Sequence, residues 1–214
     1  GVFTRNDIAA APVGYCRSLL SPSQSFHGIV ANSGNANACT GDRGAADCRT
    51  MAGLASDALG VAAENVFVAS TGRIGRPLPM DRIEQGIREA ARRATRDSAG
   101  GRDFAEAILT SDTRTKTVTA RIEADGQRHT VAGVAKGAGM IEPNMATMLA
   151  FLATDLEVPQ ATLQAALTKG VHASFNRISI DGDMSTNDTV LLLANGASGT
   201  LVGREADLLE AFHR

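Results

Sequence analysis

Tryptophan is absent from this sequence of 214 residues, and tyrosine occurs once. Seven phenylalanines are the only other aromatics, so the core has to be built mainly from Ala, Val, Leu, Ile and Met, and 22 glycines predict close backbone approaches. Cysteine is scarce as well. Cys16, Cys39 and Cys48 are odd in number and lack C-x-x-C spacing, which argues against a disulfide framework or a structural zinc site and makes a reducing cytoplasm the expected compartment. Neither sign of charge dominates: 21 Lys and Arg face 23 Asp and Glu, for a net charge of -2. That balance gives no basic footprint for nucleic acid and no polybasic membrane anchor. No apolar run reaches the roughly 18 residues of a membrane span. The opening Gly1-Val2-Phe3-Thr4-Arg5 lacks the charged and apolar regions of a signal peptide. It also lacks an initiator methionine, as expected of a processed chain or a fragment.

What is present is a globular mixture, 43% hydrophobic and 21% charged, of a size for one or two domains. Periodicity gives alternating strands and helices, read here as one mixed α/β unit over residues 1–214. Residues 28–31 form an apolar strand, and the small, turn-forming run 32–41 that follows predicts a loop without regular structure. A helix is expected over 43–59, where Cys48, Met51, Ala52, Ala55 and Leu59 recur at three- and four-residue steps and Gly60 supplies the stop. Val66-Phe67-Val68-Ala69 reads as a buried strand ending in the polar turn Ser70-Thr71-Gly72. A surface helix over 80–96 carries Ile83 and Ile87 on one face with charges on the others. Alternation across 118–122 and 129–134, joined by Asp125-Gly126, predicts a β-hairpin. Residues 145–154 are apolar, a buried strand or helical turn. A helix opened by Pro159 runs to 171, a buried strand covers 190–194, and an amphipathic helix 204–212.

Familiar chemical motifs fail on inspection. Gly137-Ala138-Gly139 begins like a dinucleotide fingerprint, but Glu142 occupies the third glycine position. Lys136 is followed by Gly137, so no P-loop is formed. Asp181-Gly182-Asp183 starts like a calcium loop, yet Thr186 and Leu192 stand at the sixth and twelfth positions, and a structural turn is the better reading. The four histidines show no metal spacing. Cys39 sits in a loop with no identifiable base. No metal and no cofactor is expected.

The unusual stretch is Lys136 to Leu149, KGAGMIEPNMATML, which by pattern alone is only a glycine-rich turn entering a buried segment. It resembles a segment of the bifunctional ornithine acetyltransferase / glutamate N-acetyltransferase family, a self-cleaving group in arginine biosynthesis. Four more blocks resemble the same family in the same order: NSGNANACTG from Asn32, STGRIG from Ser70, ILTSDTRTK from Ile108 and SIDGDMSTNDT from Ser179. The likeness covers nearly the whole chain. It implies an α/β fold of mixed sheets sandwiched between helices, in an N-terminal-nucleophile-like arrangement.

The resemblance further implies cleavage between Ala146 and Thr147 into 1–146 and 147–214, which frees Thr147 as nucleophile with its own α-amino group as base. Thr147 would take the acetyl group of N-acetylornithine and pass it to glutamate, with acetyl-CoA left open as a further donor. Thr71 and Gly72 match the family's oxyanion donors. Thr110, Lys136 and Thr147 match substrate-binding positions, Lys136 facing a carboxylate; without the resemblance an exposed lysine would be the default. Arg73 and Ser111 depart from the family pattern beside these groups. Family members are considerably longer, and their C-terminal segment contributes pocket residues, so this chain alone is expected to be far less active. Two cleaved α/β pairs would assemble as a heterotetramer. The competing readings are an N-terminal-threonine amidase or aminopeptidase, and an inactive partial chain lacking the C-terminal pocket.

Overall fold

The computed structural model of the chain describes residues 1–21, 24–124, 126–142, 148–203 and 208. Seven strands and five α-helices are defined among them. In order they are β1 (Val2–Phe3), α1 (Ala11–Leu19), β2 (Gly28–Asn35), α2 (Gly41–Leu59), β3 (Val66–Arg73), α3 (Met80–Arg93), α4 (Ser98–Ala107), β4 (Lys116–Ala124), β5 (Gln127–Lys136), β6 (Leu149–Thr154), α5 (Gln160–Ala173) and β7 (Thr189–Ala194). The strands form a five-stranded sheet in the order β1-β7-β6-β5-β4 and a two-stranded sheet of β2 and β3. β2–β3 and β6–β7 are parallel; β1–β7, β5–β6 and β4–β5 are antiparallel.

Side-chain alternation explains the layering. Val66 and Val68 of β3 pack with Cys48, Met51, Ala52 and Ala55 of α2 and Ile87 of α3. Phe67 and Ala69, on the opposite face, pack with Leu149 and Phe151 of β6 and Leu191 of β7. On the far side of the large sheet, Ala150 and Val190 meet Leu167 and Val171 of α5. The layers are therefore α2 and α3, the small sheet, the large sheet, then α5: the mixed α/β sandwich that the resemblance implies. Each Val, Leu, Ile, Phe or Met among them, fully buried, contributes about 1.5–3 kcal/mol. α1 closes the β3 side, where the Cys16 thiol donates to the Val68 carbonyl at 3.1 Å.

Local signals account for several boundaries. Gly60 ends α2 in the left-handed conformation, with φ 69° and its N–H returned to the Ser56 carbonyl. Asp97 caps α4 by accepting from the N–H groups of Ala99 and Gly100 at 2.9 and 3.2 Å. The apolar run after 145 resolves as strand β6 where it is described. Pro159 stands at the N-cap of α5 rather than inside its first turn.

Two expectations need correction. β2 continues through Asn32, Ser33 and Gly34 to Asn35, and β3 through Ser70, Thr71 and Gly72 to Arg73, because these polar ends pair with one another in parallel register. The side chains that make Asn and Ser turn formers find partners elsewhere: the Ser70 hydroxyl donates to Asn32 Oδ1 at 2.6 Å, the Ser33 hydroxyl to the Ala107 carbonyl at 2.7 Å, and the Asn35 amide to the carbonyls of Arg76 and Pro77 at 3.1 Å. The irregular backbone begins later, with left-handed Asn37 and Cys39. Residues 204–212 lie outside the described residues apart from Leu208, which is helical and buried. Asp125 of the hairpin turn lies outside them too. No helix among the described residues is long and apolar enough to cross a membrane.

Candidate active site

Where the apolar rows between the two sheets run out, polar residues take over. Thr71 continues the row Phe67, Ala69 along β3, and Lys136 continues Val134 along β5, so both side chains enter the space between the sheets. They meet there. The Lys136 ammonium donates to Thr71 Oγ1 at 3.0 Å and to Thr110 Oγ1 at 2.7 Å. Lys136 is only 3% exposed, contrary to the ordinary expectation for a lysine. Thr110, just beyond α4, stands at the exposed rim.

Asp112, two residues further on, supplies the counter-charge. Its Oδ1 accepts from the Gly137 N–H at 2.8 Å and from Lys116 Nζ at 2.6 Å. Its Oδ2 lies 3.8 Å from Lys136 Nζ and is buried without a hydrogen-bond donor among the described residues. Burial pulls the Asp112 carboxyl upward, but Lys116, the Gly137 N–H and Lys136 outweigh it and hold the group below the usual carboxylate range. Burial lowers the Lys136 ammonium, helped by the like charge of Lys116 and opposed by Asp112 and Asp188.

Gly72, next to Thr71, is fixed as glycine. Its φ is 131°, and a Cβ there would lie 2.3 Å from the Gly34 carbonyl carbon and 2.5 Å from the Asn35 nitrogen. Asn187 ties this end of the small sheet to the large one, its amide donating to the carbonyls of Ala36 at 2.6 Å and Ser70 at 2.8 Å. Ala146 and Thr147 lie outside the described residues, but both flanks of 143–147 are anchored to the segment 179–189. Upstream, Asp181 accepts from the N–H groups of Met140 and Ile141 at 2.5 and 2.7 Å, and the Ile180 N–H donates to the Ile141 carbonyl at 2.8 Å. Downstream, Asp188 Oδ1 accepts from the Met148 N–H at 2.9 Å, and the Thr189 N–H donates to the Met148 carbonyl at 3.0 Å. Burial pushes the Asp188 carboxyl up to about 7 against the pull of the Met148 N–H, the Ser185 hydroxyl and Lys136. Cys16 and Cys48 are pushed up to about 12, chiefly by burial, and are inert at neutral pH.

Thus Thr71, Gly72, Thr110 and Lys136, scattered in sequence, share one place. Asp112, Asn187 and Asp188 belong to it as well, and sequence reasoning did not single them out. The available signal was their position inside the blocks that also carry Thr110 and the strand β7.

Comparison with known proteins bears on the whole chain. The model of the ArgJ family matches residues 1–214. The arginine biosynthesis bifunctional protein ArgJ of Symbiobacterium thermophilum is 53% identical over 199 residues, 93% of this chain and 49% of that protein. Its namesake in Thermotoga neapolitana is 45% identical over 219 residues, 100% of this chain and 54% of that protein. The chain spans about half the length of these curated relatives. Among solved structures, the ArgJ protein of Bacillus halodurans is similar with a TM-score of 0.63 and 41% identity, over 68% of this chain and 75% of that one. An ornithine acetyltransferase of Mycobacterium tuberculosis, solved in complex with ornithine, is similar with a TM-score of 0.60 and 35% identity, over 70% and 76%.

Proposed function

The chain belongs to the ArgJ family, and from that premise we propose that it carries the nucleophile, Thr147, of an acetyltransferase that moves the acetyl group of N-acetylornithine to glutamate. The observation that carries this reading is the convergence on one buried ammonium, Lys136 Nζ, of hydroxyls from two separate elements, Thr71 and Thr110. A cation and two hydroxyls at the end of an apolar space suit a small polar substrate with a carboxylate and an acyl group.

The chemistry begins with cleavage into 1–146 and 147–214. The Thr147 hydroxyl attacks the Ala146 carbonyl, the peptide C–N bond breaks as the acyl group passes from nitrogen to oxygen, and water hydrolyses the ester. This leaves a carboxylate on Ala146 and a free α-amino group on Thr147. That amino group then acts as the base for the Thr147 hydroxyl, whose attack on the acetyl carbonyl of N-acetylornithine gives acetyl-threonine and ornithine. Glutamate takes the acetyl group in the second half-reaction, regenerating the hydroxyl. Both tetrahedral intermediates develop an oxyanion, for which Thr71 Oγ1 and the Gly72 N–H are the assigned donors. The clamps at Asp181 and Asp188 support this reading, because they fix both flanks of the segment that contains the bond to be cleaved.

Incubation with N-acetylornithine, with and without glutamate, tests it, on the chain as it stands and within its full gene product. The expected result is ornithine and N-acetylglutamate with ping-pong kinetics, and a Thr147-starting fragment by N-terminal sequencing. Thr147→Ala should remain uncleaved. Thr71→Ala should lose roughly 10²-fold in transfer rate with a smaller change in substrate affinity. Acetate released at the same rate without glutamate points instead to an amidase, and absence of turnover from both forms removes the reading.

A further inference from the structure

We propose that Asp112 is a positioning residue for this site: it holds Lys136 cationic in the buried space between the sheets, so that the site accepts a substrate through its carboxylate. The inference deepens the proposed function and rests on the reading that Lys136 meets the substrate.

The argument begins with the number of donors. An ammonium has three N–H groups, and two of those on Lys136 go to neutral hydroxyls, Thr71 at 3.0 Å and Thr110 at 2.7 Å. Two neutral acceptors do not compensate a cation removed from water. Among the described residues, the charged groups that bear on it are Asp112, Lys116 and Asp188. Lys116 repels it. Asp188 already spends Oδ1 on the Met148 N–H, and its burial favours the neutral acid. Asp112 remains, with a fully buried side chain, Oδ1 occupied by the Gly137 N–H and Lys116, and Oδ2 facing Lys136 at 3.8 Å with no hydrogen-bond donor among the described residues.

Geometry makes Asp112 a strut as well as a counter-ion. Its bond to the Gly137 N–H fastens the loop bearing Thr110 to the end of β5. The charges then add up to a specificity. Lys116 and Lys136 share one carboxylate, so the triad carries one net positive charge, which suits an incoming carboxylate rather than a neutral amide. Lys116 is the partly exposed member and lies at the outer end, its side chain 42% exposed. The charge that a substrate inside the site meets is that of Lys136.

The test uses Asp112→Asn, which keeps the Oδ1 acceptor for Gly137 and removes the charge, and Lys116→Gln, which removes the repelling neighbour from a partly exposed position. The first readout needs no activity: the titration midpoint of Lys136, followed by the 13Cε shift in lysine-labelled protein and assigned with Lys136→Met. Asp112→Asn should lower that midpoint by about one pH unit or more, and Lys116→Gln should raise it. The second readout is the KM of the full gene product for N-acetylornithine against pH. Its high-pH limb should move down in Asp112→Asn, with affinity restored by lowering the pH, and up in Lys116→Gln. A purely structural role weakens binding equally at all pH values. Unchanged midpoints in both variants overturn the proposal. If the wild type transfers no acetyl group, the functional reading fails while the midpoints still decide the role of Asp112.

Discussion

The two sheets contribute to the site by different physical means. At the end of β3 the site is made of backbone: Gly72 has a conformation and a clearance that only glycine meets, and Asn187 fastens the neighbouring carbonyls. At the end of β5 it is made of charge: Asp112, Lys116 and Asp188 bear on the protonation of Lys136, which in turn bears on both carboxylates. The difference teaches what each end tolerates. A backbone end fails when any atom is added, whatever its charge. A charged end accepts an isosteric replacement and then changes its response to pH.

The sharpest test of the backbone end compares two glycines opposite one another in the β2–β3 register. Gly72→Ala places a Cβ 2.3 Å from backbone at φ 131°, whereas Gly34→Ala, at φ 94°, meets nothing within 4 Å. The first should cost about 3–5 kcal/mol, strain and overpacking together, and the second about 1–2 kcal/mol from conformation alone. Urea unfolding midpoints measure both. Equal losses would mean that the close approach of β2 and β3 is not what fixes Gly72.

The charged end is probed by Asp188→Asn. The folded pKa of Asp188, about 7, lies above that of the unfolded chain, so the native state binds the extra proton in between. Its contribution to stability is therefore complete below the unfolded pKa, near 3.9, and is lost as pH rises through 7. Asparagine has no such loss. Between pH 4 and pH 8 the variant should gain on the wild type by on the order of 3–4 kcal/mol, read from unfolding curves of both proteins across that range. A gap independent of pH would show that Asp188 stays ionised beside Lys136, and the charge balance at this end would have to be redrawn.

Legibility in the sequence follows the same division. Hydrophobic spacing suffices for α2, α3, the β4–β5 hairpin, α5 and β7, since each buries a periodic face in a layer. It stops short at Ala31 and Ala69, because Asn32, Ser33, Ser70 and Thr71 look like turn residues until one knows that two such strand ends lie side by side. α1, with Pro12 and Gly14 inside nine residues, and two-residue β1 gave no periodic signal to read. Among the site residues, Thr71, Gly72, Thr110 and Lys136 were reached through a family resemblance, while pattern alone left Lys136 as an exposed cation. Asp112 and Asp188 were passed over for a physical reason. Their importance lies in facing Lys136 and Met148 across the fold, and no local spacing encodes such a contact.

The smallest effect belongs to the outer edge of the large sheet, where backbone and charge both matter least. Val118 on β4 is 60% exposed, while Val68 on β3 is fully buried against the α2 side. Threonine keeps the shape and β-branching of valine and replaces a methyl by a hydroxyl, so the two substitutions differ mainly in the desolvation of that hydroxyl. Val68→Thr should cost about 1–3 kcal/mol, since a buried hydroxyl needs a partner and the N–H and carbonyl of residue 68 are already engaged by Cys16. Val118→Thr should stay within about 0.5 kcal/mol, because the hydroxyl remains hydrated. Thermal unfolding of the chain measures the pair, and repeating it on the full gene product sharpens the comparison. A near-zero effect in both places β4 at a solvated edge in each; a loss approaching that of Val68→Thr only in the gene product means that further polypeptide buries the Val118 face there.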